Sequence, residues 1–391
     1  MISDFYAKLA AVRRRIHAHP EISENEFETT AFLKEYISKL GIHILETDLP
    51  TGFIAEIGQG EPVIALRADI DALPIKEKNA FEYASQNGAM HACGHDFHQT
   101  SLLGAAELLK EKEAQLKGTI RLIFQPAEEV SVGAYQVIEA GGLKDVSAII
   151  GYHNYPHLKL GQIGLRSKAI MAAVDKFKVT ISGVSGHAAR PDFGTDAVLA
   201  ITTIVNNLQA IISRTVSPFE SAVLSVTHID VGSAWNVMPE SGYFEGTMRS
   251  FSPETRQHLR KSFTKIVENT ADQFNANVTI EWGKTPTVTF NDEVLTPLIF
   301  EHSKTFAEVV TVEPLTIGED FAAYQEKIPG VFALIGSNGD EDAADLHHDT
   351  FTVKDEALPT AVNYFVENAL YLLDYFAKGK LCQNQHNYLK K

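Results

Sequence analysis

The stretch TIRLIFQPAEE, residues 119–129, is an apolar, partly β-branched run that ends at a proline and two adjacent glutamates. Short apolar runs of this kind are typical of strands in a sheet that is covered on both faces. Similar runs occur before it and after it, namely FIAEIG at 53–58, PVIALRADID at 62–71, AIIGYHN at 148–154 and VFALIG at 331–336. We therefore expect a set of buried strands, several of which run directly into polar turns.

Segments with the apolar spacing of helices lie before, between and after these strands. Apolar positions in residues 3–40 recur at helical spacing, and the break at His19-Pro20 predicts two helices, since proline cannot continue a helix. Further helices are expected at about 95–115, 293–308 and 356–377. Strands that alternate with helices predict an α/β domain with helices on both faces of a mixed sheet.

The pattern changes at about residue 172. VDKFKVTISG, SAVLSVTHID and SGYFEGTMRS alternate apolar and polar residues, helices are expected at 195–213 and 253–273, and NVTIEWG completes a β-α-β-β-α-β order. This order is typical of a ferredoxin-like α+β layer with a one-sided antiparallel sheet. We predict an α/β domain in two pieces, residues 1–171 and 290–391, with an α+β domain inserted at 172–289.

Composition narrows the possible functions. The chain has 391 residues, too many for one typical core, and a formal net charge of -16, which disfavours binding to nucleic acids or anionic membranes. The N-terminal sequence lacks the charge-then-apolar order of a signal peptide, and no run of eighteen apolar residues occurs. We expect a soluble, cytoplasmic protein.

The two cysteines, Cys93 and Cys382, cannot form a disulfide framework. Cys93 lies in the His-rich segment MHACGHDFH, which favours a thiolate ligand or a nucleophile. Cys382 lies in a polar tail and is predicted to be an inert surface thiol. A cysteine hydrolase is disfavoured because Cys93 and His95 are too close in sequence to align as nucleophile and base. A serine hydrolase is disfavoured because GVSGH at 183–187 lacks the Gly-x-Ser-x-Gly spacing.

Polar clusters occur where predicted strands end, which is where open α/β sheets place their sites. They are RADIDALP, MHACGHDFH, QPAEE, GYHNYP and, in the last third, DLHHDTF. Among them, five side chains are ordinary ligands for borderline divalent metals: Cys93, His95, Glu129, His153 and His347. Five ligands are too many for one tetrahedral ion, whereas two ions that share a bridging ligand would use them all. We therefore expect a binuclear centre.

The adjacent pair Glu128-Glu129 also indicates a cation, because two neighbouring carboxylates repel each other without positive charge nearby. One glutamate would bind metal and the other would accept a proton and return it to the leaving group. Spacing alone does not decide which glutamate has which role.

Nine segments together resemble the amidohydrolase branch of the M20 metallopeptidase superfamily, whose members include aminoacylases, hippurate hydrolases and N-acetyldiaminopimelate deacetylases. They are RRRIHAHPEISENEFET, RADIDALP, MHACGHDFHQTSLLGAA, FQPAEE, GYHNYP, GHAARP, NVMPESGYFEGTMRSF, GEDFAAY and LHHDTF. The resemblance extends from about residue 11 to 365 and implies a zinc-peptidase-like catalytic domain with an inserted lid and dimerisation domain.

The resemblance also implies individual roles. Cys93 is similar to a bridging thiolate, Glu128 resembles the general base, and His95, Glu129, His153 and His347 resemble the remaining ligands; the motif favours His347 over His348. In other branches a His-x-Asp motif supplies a ligand, whereas Arg67-Ala68-Asp69 stands here, so Asp69 is expected to orient a ligand or the cluster. Three positions of the inserted domain match residues that contact substrate or the oxyanion: His187, Asn236 and Arg249. Glu319 is expected to support the site.

The implied reaction is hydrolysis of the amide bond of N-acyl-L-amino acids. A hydroxide bound to two divalent ions, Mn or Zn or possibly Co, would attack, and Glu128 would carry the proton. A homodimer through the inserted domain is expected. The alternative is a metallo-carboxypeptidase or dipeptidase that uses the same site. A non-enzymatic metal-binding module is disfavoured because the base and all five ligands are present.

Overall fold

The computed structural model describes residues 2–379, so Cys382 lies outside the described residues. In the described part the helices are α1 (Ile2–His17), α2 (Phe27–Lys39), α3 (His95–Glu111), α4 (Gly133–Glu139), α5 (Ala197–Thr215), α6 (Pro253–Gln273), α7 (Leu295–Ser303), α8 (Ala322–Gln325) and α9 (Leu358–Ala377). The expected helix at 293–308 ends earlier, because turns follow Ser303 and a strand begins at Glu308.

The strands of the first half are β1 (His43–Ile44), β2 (Phe53–Gly58), β3 (Val63–Asp69), β4 (Thr119–Gln125), β5 (Val146–Tyr155), β6 (Gln162–Leu165), β7 (Lys168–Met171) and β8 (Ala173–Ser182). Those of the second half are β9 (Gly186–His187), β10 (Ala222–Val231), β11 (Val237–Met238), β12 (Ser241–Ser250), β13 (Asn277–Trp282), β14 (Thr289–Asn291), β15 (Glu308–Thr311) and β16 (Gly330–Gly336).

Eight strands form one mixed sheet in the order β1-β2-β4-β3-β5-β16-β6-β15. The four central strands β4, β3, β5 and β16 are parallel, whereas β2 runs antiparallel to β4 and β6 runs antiparallel to β16. The central strands are buried on both faces, which explains their nearly continuous apolar sequences. The predicted α/β class with a mixed sheet is confirmed. Because the central strands are parallel, their carboxyl ends share one edge of the sheet.

The long helix α3 is central to the core on one face of this sheet. It contacts α1 and α9, and its residues Phe97, Leu102 and Leu103 are fully buried. Gly104 lets α1 approach closely, since a Cβ at this position would lie 2.6 Å from a methyl group of Leu9. The buried helix fixes the position of its own N-terminus, where Cys93 and His95 lie.

The chain divides into two compact units. Unit 1 comprises Met1–Ile170, Phe290–Glu313 and Asp320–Lys391, and unit 2 comprises Met171–Thr289 and Pro314–Glu319. The segment Pro314–Glu319, which the sequence analysis assigned to the larger domain, thus belongs to the smaller unit. It does so because the amide of Ala172 donates to the carbonyls of Leu315 and Ile317.

Unit 2 contains a four-stranded antiparallel sheet in the order β10-β12-β8-β13. Helices α5 and α6 cover one face, and Phe177, Phe244 and Phe263 form the centre of a separate core. The β-α-β-β-α-β order and this strand order are ferredoxin-like. A two-stranded ribbon of β9 and β11 completes the unit.

Helix α5 is long and apolar enough to cross a membrane by length and composition alone. Its side chains Ile201, Ile204, Leu208 and Ile211 are fully buried in the core of unit 2. A core helix of this kind explains the apolar composition, so α5 carries no argument for a membrane span.

Candidate functional site

The predicted ligands of unit 1 lie at the carboxyl edge of the parallel strands. Cys93 and His95 are at the N-terminus of α3, Glu129 follows β4, His153 is near the C-terminal end of β5, and His347 follows β16. His347 is fixed to the α3 loop because its amide donates to the carbonyl of Ala92 over 2.8 Å. The structure thus brings together residues that are up to 254 positions apart.

Gly94 is the residue that allows Cys93 and His95 to point into the same site. It has a φ of +84°, in the left-handed region that favours glycine. A Cβ at this position would lie 2.3 Å from Nδ2 of Asn154, which itself donates to the carbonyl of Cys93 over 2.6 Å. The glycine in the sequence CGH is therefore required by both the backbone conformation and the close approach of Asn154.

Hydrogen bonds orient the imidazole rings. Nδ1 of His95 donates to the backbone carbonyl of Asp71 over 2.9 Å, with the Asp71 carboxylate 3.2 Å away. Nδ1 of His153 donates to the carbonyl of Asn154 over 2.7 Å. Each ring therefore directs Nε2 to the site. Such hydrogen bonds on the outer nitrogen are usual for metal-binding histidines.

The ligand atoms form two groups that share one sulfur. Cys93, His95 and His153 form one group, and Cys93, Glu129 and His347 form the other, with all ligand atoms of a group within 4.8 Å of one another. Sγ of Cys93 lies 3.3 Å from Nε2 of His153 and 3.3 Å from Nε2 of His347. This arrangement suits two cations bridged by the Cys93 thiolate.

Two buried atoms of the cluster have no hydrogen-bond partner within the described residues: Nε2 of His95 and Oε1 of Glu129. They lie 3.9 Å apart. Burying an unpartnered polar atom is costly, so such atoms are rare unless another species binds them. The donor set and these two atoms therefore suit divalent cations.

The pKa values of the ligands show the same need for positive charge. Burial raises the pKa of the Cys93 thiol well above its usual value, and the carboxylates of Glu129, Glu128 and Asp69 raise it further. Burial also raises the pKa of Glu129. Burial alone would lower the pKa of His95, but Asp69, Asp71 and Glu129 outweigh it and raise this pKa to about 10. Without a cation, His95 therefore keeps a proton in place of the missing positive charge.

Glu128 lies beside this cluster. One of its carboxylate oxygens is within 4.8 Å of the ligand atoms of His95 and Glu129. The backbone amide of Asp320 donates to its Oε1 over 3.3 Å. Glu128 is partly exposed, which leaves it accessible to a small reactant.

Asp69 and Asp71, the two carboxylates that follow β3, have different contacts. Asp69 accepts from Nδ1 of His98 over 2.6 Å, and Nε2 of His98 accepts from the amide of Asn154 over 2.9 Å. Asp71, besides its contacts with His95, accepts from the amide of Glu129 over 3.1 Å. Asp69 thus orients the histidine His98 rather than a ligand directly, and Asp71 contacts two ligands.

Asp71 and Asn154 were not among the residues predicted from the sequence. The alternation Asp69-Ile70-Asp71 at a strand end was the available signal for Asp71, since side chains two residues apart share a direction. Asn154 gave no signal, because its contacts come from a distant loop. Nearby, His91 is buried, and neither ring nitrogen has a hydrogen-bond partner in the described chain.

The predicted substrate residues of unit 2 are not one cluster. His187 and Asn236 belong to the β9–β11 ribbon, where the amide of Ala188 donates to the carbonyl of Asn236 over 3.1 Å, and both side chains are exposed. Arg249 lies on β12 and donates from Nε to the carbonyl of Thr316 over 3.2 Å. Glu319 is buried at the end of unit 2, and its carbonyl accepts from Thr289.

The fold and the site define a metallohydrolase of the α/β type. Residues 65–370 match Peptidase family M20/M25/M40, and the chain belongs to this family of hydrolases. It is 46% identical over 384 residues to N-acetyl-L-cysteine deacetylase of Bacillus subtilis (strain 168), covering 97% of this chain and 92% of that protein. It is 38% identical to IAA-amino acid hydrolase ILR1-like 5 of Arabidopsis thaliana, covering 95% of this chain and 88% of that protein.

Among solved structures, the chain resembles the YXEP protein of Bacillus subtilis, a dinuclear metal-binding peptidase from the M20 family. The TM-score is 0.85 at 41% identity, covering 95% of this chain and 99% of that chain. The predicted resemblance to the amidohydrolase branch of the M20 superfamily is thereby confirmed.

Proposed function

We propose that this protein hydrolyses the amide bond of N-acyl-L-amino acids at a centre of two divalent cations. The observation that carries the proposal is the pair of ligand groups that share Cys93, with Nε2 of His95 and Oε1 of Glu129 buried and unpartnered among the described residues. The relatives named as deacetylases and amino acid hydrolases support the substrate class.

Cys93, His95, Glu129, His153 and His347 would hold the cations. Bound there, the cations would polarise the amide carbonyl and lower the pKa of a water molecule. Thiolate and imidazole ligands suit Zn or Co, whereas the carboxylate also admits Mn. We propose Mn or Zn as the resident ions.

Glu128 would act as the general base and acid. Its carboxylate is not in either of the two ligand groups that contain Cys93, and it lies next to Glu129 and His95. From this position it would accept a proton from the attacking water and deliver it to the leaving amine. Positioned proton transfer of this kind contributes roughly 10²–10⁴-fold to a rate.

Unit 2 would act as a lid that supplies substrate contacts. The exposed side chains of His187 and Asn236 could donate hydrogen bonds to the oxyanion, and the guanidinium of Arg249 matches the geometry of an α-carboxylate. A clamp for a free carboxylate suits N-acyl amino acids and, equally, the C-terminus of a short peptide, which is the alternative substrate.

We also propose a homodimer through unit 2 and a cytoplasmic location. The strand β10 is at the edge of its sheet, and Val223 and Ile229 on it and Leu199 on α5 are 45%, 44% and 51% exposed. Exposed apolar side chains on an edge strand favour association with a second copy. Light scattering of the purified protein and of Ile229→Lys tests this; a wild-type monomer contradicts it.

The variant Glu128→Gln tests the proposed reaction. We expect the metal-loaded variant to keep two equivalents of metal and to lose at least about 100-fold in kcat on N-acetyl amino acids, because the carboxamide cannot accept the proton. Glu139→Gln, an exposed glutamate on α4, is the matched control and should retain full activity.

A panel of N-acetyl, N-benzoyl and N-indoleacetyl amino acids beside dipeptides separates the two substrate classes. Faster hydrolysis of dipeptides than of every N-acyl amino acid would contradict the proposed substrate class. Unchanged kcat in Glu128→Gln, or full activity after removal of the metal with a chelator, would contradict the proposed mechanism.

A further inference from the structure

Arg67 occupies an unusual position for an arginine, inside the central strand β3 and fully buried. Its Nη1 donates to Oδ2 of Asp69 over 2.7 Å, and its Nη2 donates to Oδ1 of Asp320 over 2.8 Å. Its Nε donates to Oε1 of Gln125 over 2.8 Å. Both carboxylates are also fully buried. The guanidinium therefore connects three elements that are distant in sequence.

A buried ion pair is costly to form, because desolvation of the charges offsets their attraction. Apolar side chains in place of Arg67, Asp69 and Asp320 together would often give the sheet equal or greater stability, as Leu66 and Ala68 do on the opposite face of β3. Stability alone thus does not account for an arginine here. Its rigid, planar set of donors instead fixes the relative positions of the groups it contacts.

The first contact of Arg67 leads to Glu128. The Asp320 carboxylate that accepts from Arg67 also accepts from Nε2 of Gln125 over 2.8 Å and from the amide of Ala134 over 3.0 Å. These bonds hold the Asp320 backbone, whose amide donates to Oε1 of Glu128. The position of Glu128 therefore depends on the position of the Asp320 side chain.

The second contact leads to the ligand loop. Asp69 accepts from Arg67 and from His98, and Nε2 of His98 accepts from the amide of Asn154. The side chain of Asn154 in turn donates to the carbonyl of Cys93. Arg67 is thus linked through three intervening residues, Asp69, His98 and Asn154, to the loop that carries the shared sulfur.

We propose that Arg67 and Asp320 are positioning residues that hold Glu128 at a fixed place relative to the loop of Cys93. This inference rests on the proposed role of Glu128 as general base. Arg67 would serve the site through its neighbours and not by binding an ion.

The variant Asp320→Asn tests the branch toward Glu128. The asparagine keeps the size of the side chain, but an NH₂ group replaces one carboxylate oxygen. This new donor must face Nε2 of Gln125 or the amide of Ala134, which are themselves donors, so a hydrogen bond is lost. We expect kcat to fall about 10–100-fold, the range seen when groups that orient a metal site are removed. KM and the affinity for Mn²⁺ should stay within about threefold of wild type, because the His98 branch is intact.

The variant Arg67→Lys tests both branches together. A lysine carries the charge but cannot contact Asp69, Asp320 and Gln125 at once. We expect kcat to fall at least as far as in Asp320→Asn and the affinity for Mn²⁺ to weaken about tenfold. The double variant should lose little more kcat than Arg67→Lys alone, because both changes disrupt the same contact.

Arg121→Lys is the matched control. Arg121 is also a buried arginine of the same sheet, and it pairs with Glu56 and donates to the carbonyls of Gly142 and Lys144. This control should lower the melting temperature without changing kcat. A loss of kcat in Arg121→Lys equal to that in Asp320→Asn would show a merely structural role and overturn the proposal, as would an unchanged kcat in Asp320→Asn.

Tyr324→Phe provides a milder test should Asp320→Asn fail to fold. It removes the hydroxyl that donates to Oε1 of Gln125 over 2.9 Å and leaves the Asp320 carboxylate in place. We expect a severalfold loss of kcat at constant KM; a kcat equal to wild type overturns the proposal.

A readout without catalysis separates this proposal from the proposed function. In a crystal structure of metal-free Asp320→Asn, or of metal-free Tyr324→Phe in its place, the Glu128 carboxylate should leave the amide of residue 320; an unmoved Glu128 overturns the positioning role. If the metal-loaded wild type hydrolyses no N-acyl amino acid or dipeptide, the proposed function fails. The positioning role of Arg67 and Asp320 is still tested in that case, by the displacement of Glu128 and by the Mn²⁺ affinity of Arg67→Lys.

Discussion

Metal binding to this protein should release protons, because at least two of the ligands hold protons when no cation is bound. The carboxylates of Asp69, Asp71 and Glu129 outweigh the effect of burial and raise the pKa of His95 to about 10. Burial and the neighbouring carboxylates raise the pKa of the Cys93 thiol well above its usual value. At pH 7 both groups are protonated, and both must lose the proton to bind a cation.

The magnitude follows from these pKa values. Removing the proton from His95 at pH 7 costs about 4 kcal/mol, since each pKa unit corresponds to about 1.4 kcal/mol. Burial raises the pKa of the third ligand, Glu129, to about 7, so we expect about two to three protons to leave as the two ions bind and the overall affinity to fall at least about 100-fold for each pH unit below 7. The sign is fixed because a raised pKa favours the protonated form, which competes with the metal.

Isothermal titration calorimetry with Mn²⁺ at pH 7, in buffers of different ionisation enthalpy, measures the number of protons released. The slope of the observed enthalpy against the ionisation enthalpy of the buffer should be negative, with a magnitude between about two and three, because the released protons protonate the buffer. In Cys93→Ser the magnitude of the slope should fall by about one, because the serine hydroxyl stays protonated. A slope near zero for the wild type would refute the reasoning, as it would mean that the ligands are already deprotonated.

Three further predictions concern groups around the site. Asp71→Asn removes the negative charge beside His95 and should weaken Mn²⁺ affinity about 10–100-fold, measured by the same titration; wild-type affinity would contradict this role. Gly94→Ala places a Cβ 2.3 Å from Asn154 and should bind fewer than two equivalents of metal. Its control is Gly88→Ala, where φ is +88° and nothing lies within 4 Å of the added Cβ. The control should bind two equivalents of metal, and its free energy of unfolding in denaturant should fall by only about 1–2 kcal/mol. Burial alone would lower the pKa of His17, but Asp96 and Glu77 outweigh it and raise this pKa to about 9. The stabilisation that the charged His17 provides is therefore complete below about pH 6.5 and is lost as the pH rises to about 9. His17→Gln should unfold more easily than wild type at pH 6 by up to about 3 kcal/mol, and an equal difference at pH 6 and pH 10 would contradict this prediction.

The sequence was most informative where local patterns and ligand chemistry agree. The apolar runs that end in polar turns predicted buried strands, and β4 ends at Gln125, directly before the polar turn Pro126–Glu129. The strict alternation after residue 172 predicted the antiparallel layer, because only a strand with one buried face alternates in this way. The His95 and Cys93 assignments came from residue type and position at a strand-to-helix turn.

Other features had no local signal. The segment Pro314–Glu319 belongs to unit 2 through hydrogen bonds to Ala172, which is more than 140 positions away. The helix expected to reach residue 308 ends at Ser303, since apolar periodicity does not specify where a turn replaces a helix. The orientation of each imidazole depends on carbonyl groups of Asp71 and Asn154, which no side-chain pattern reveals.

The sequence by itself determined the class of fold, the family and the residue types available to bind cations, because these depend on periodicity and on the chemistry of single side chains. Only the tertiary structure decided that Asp71 contacts His95 and Glu129 and that Arg67 joins Asp69 to Asp320. The physical reason is that these contacts arise where the ends of parallel strands meet at one edge of the sheet, and strand order and register across the sheet are properties of the folded chain.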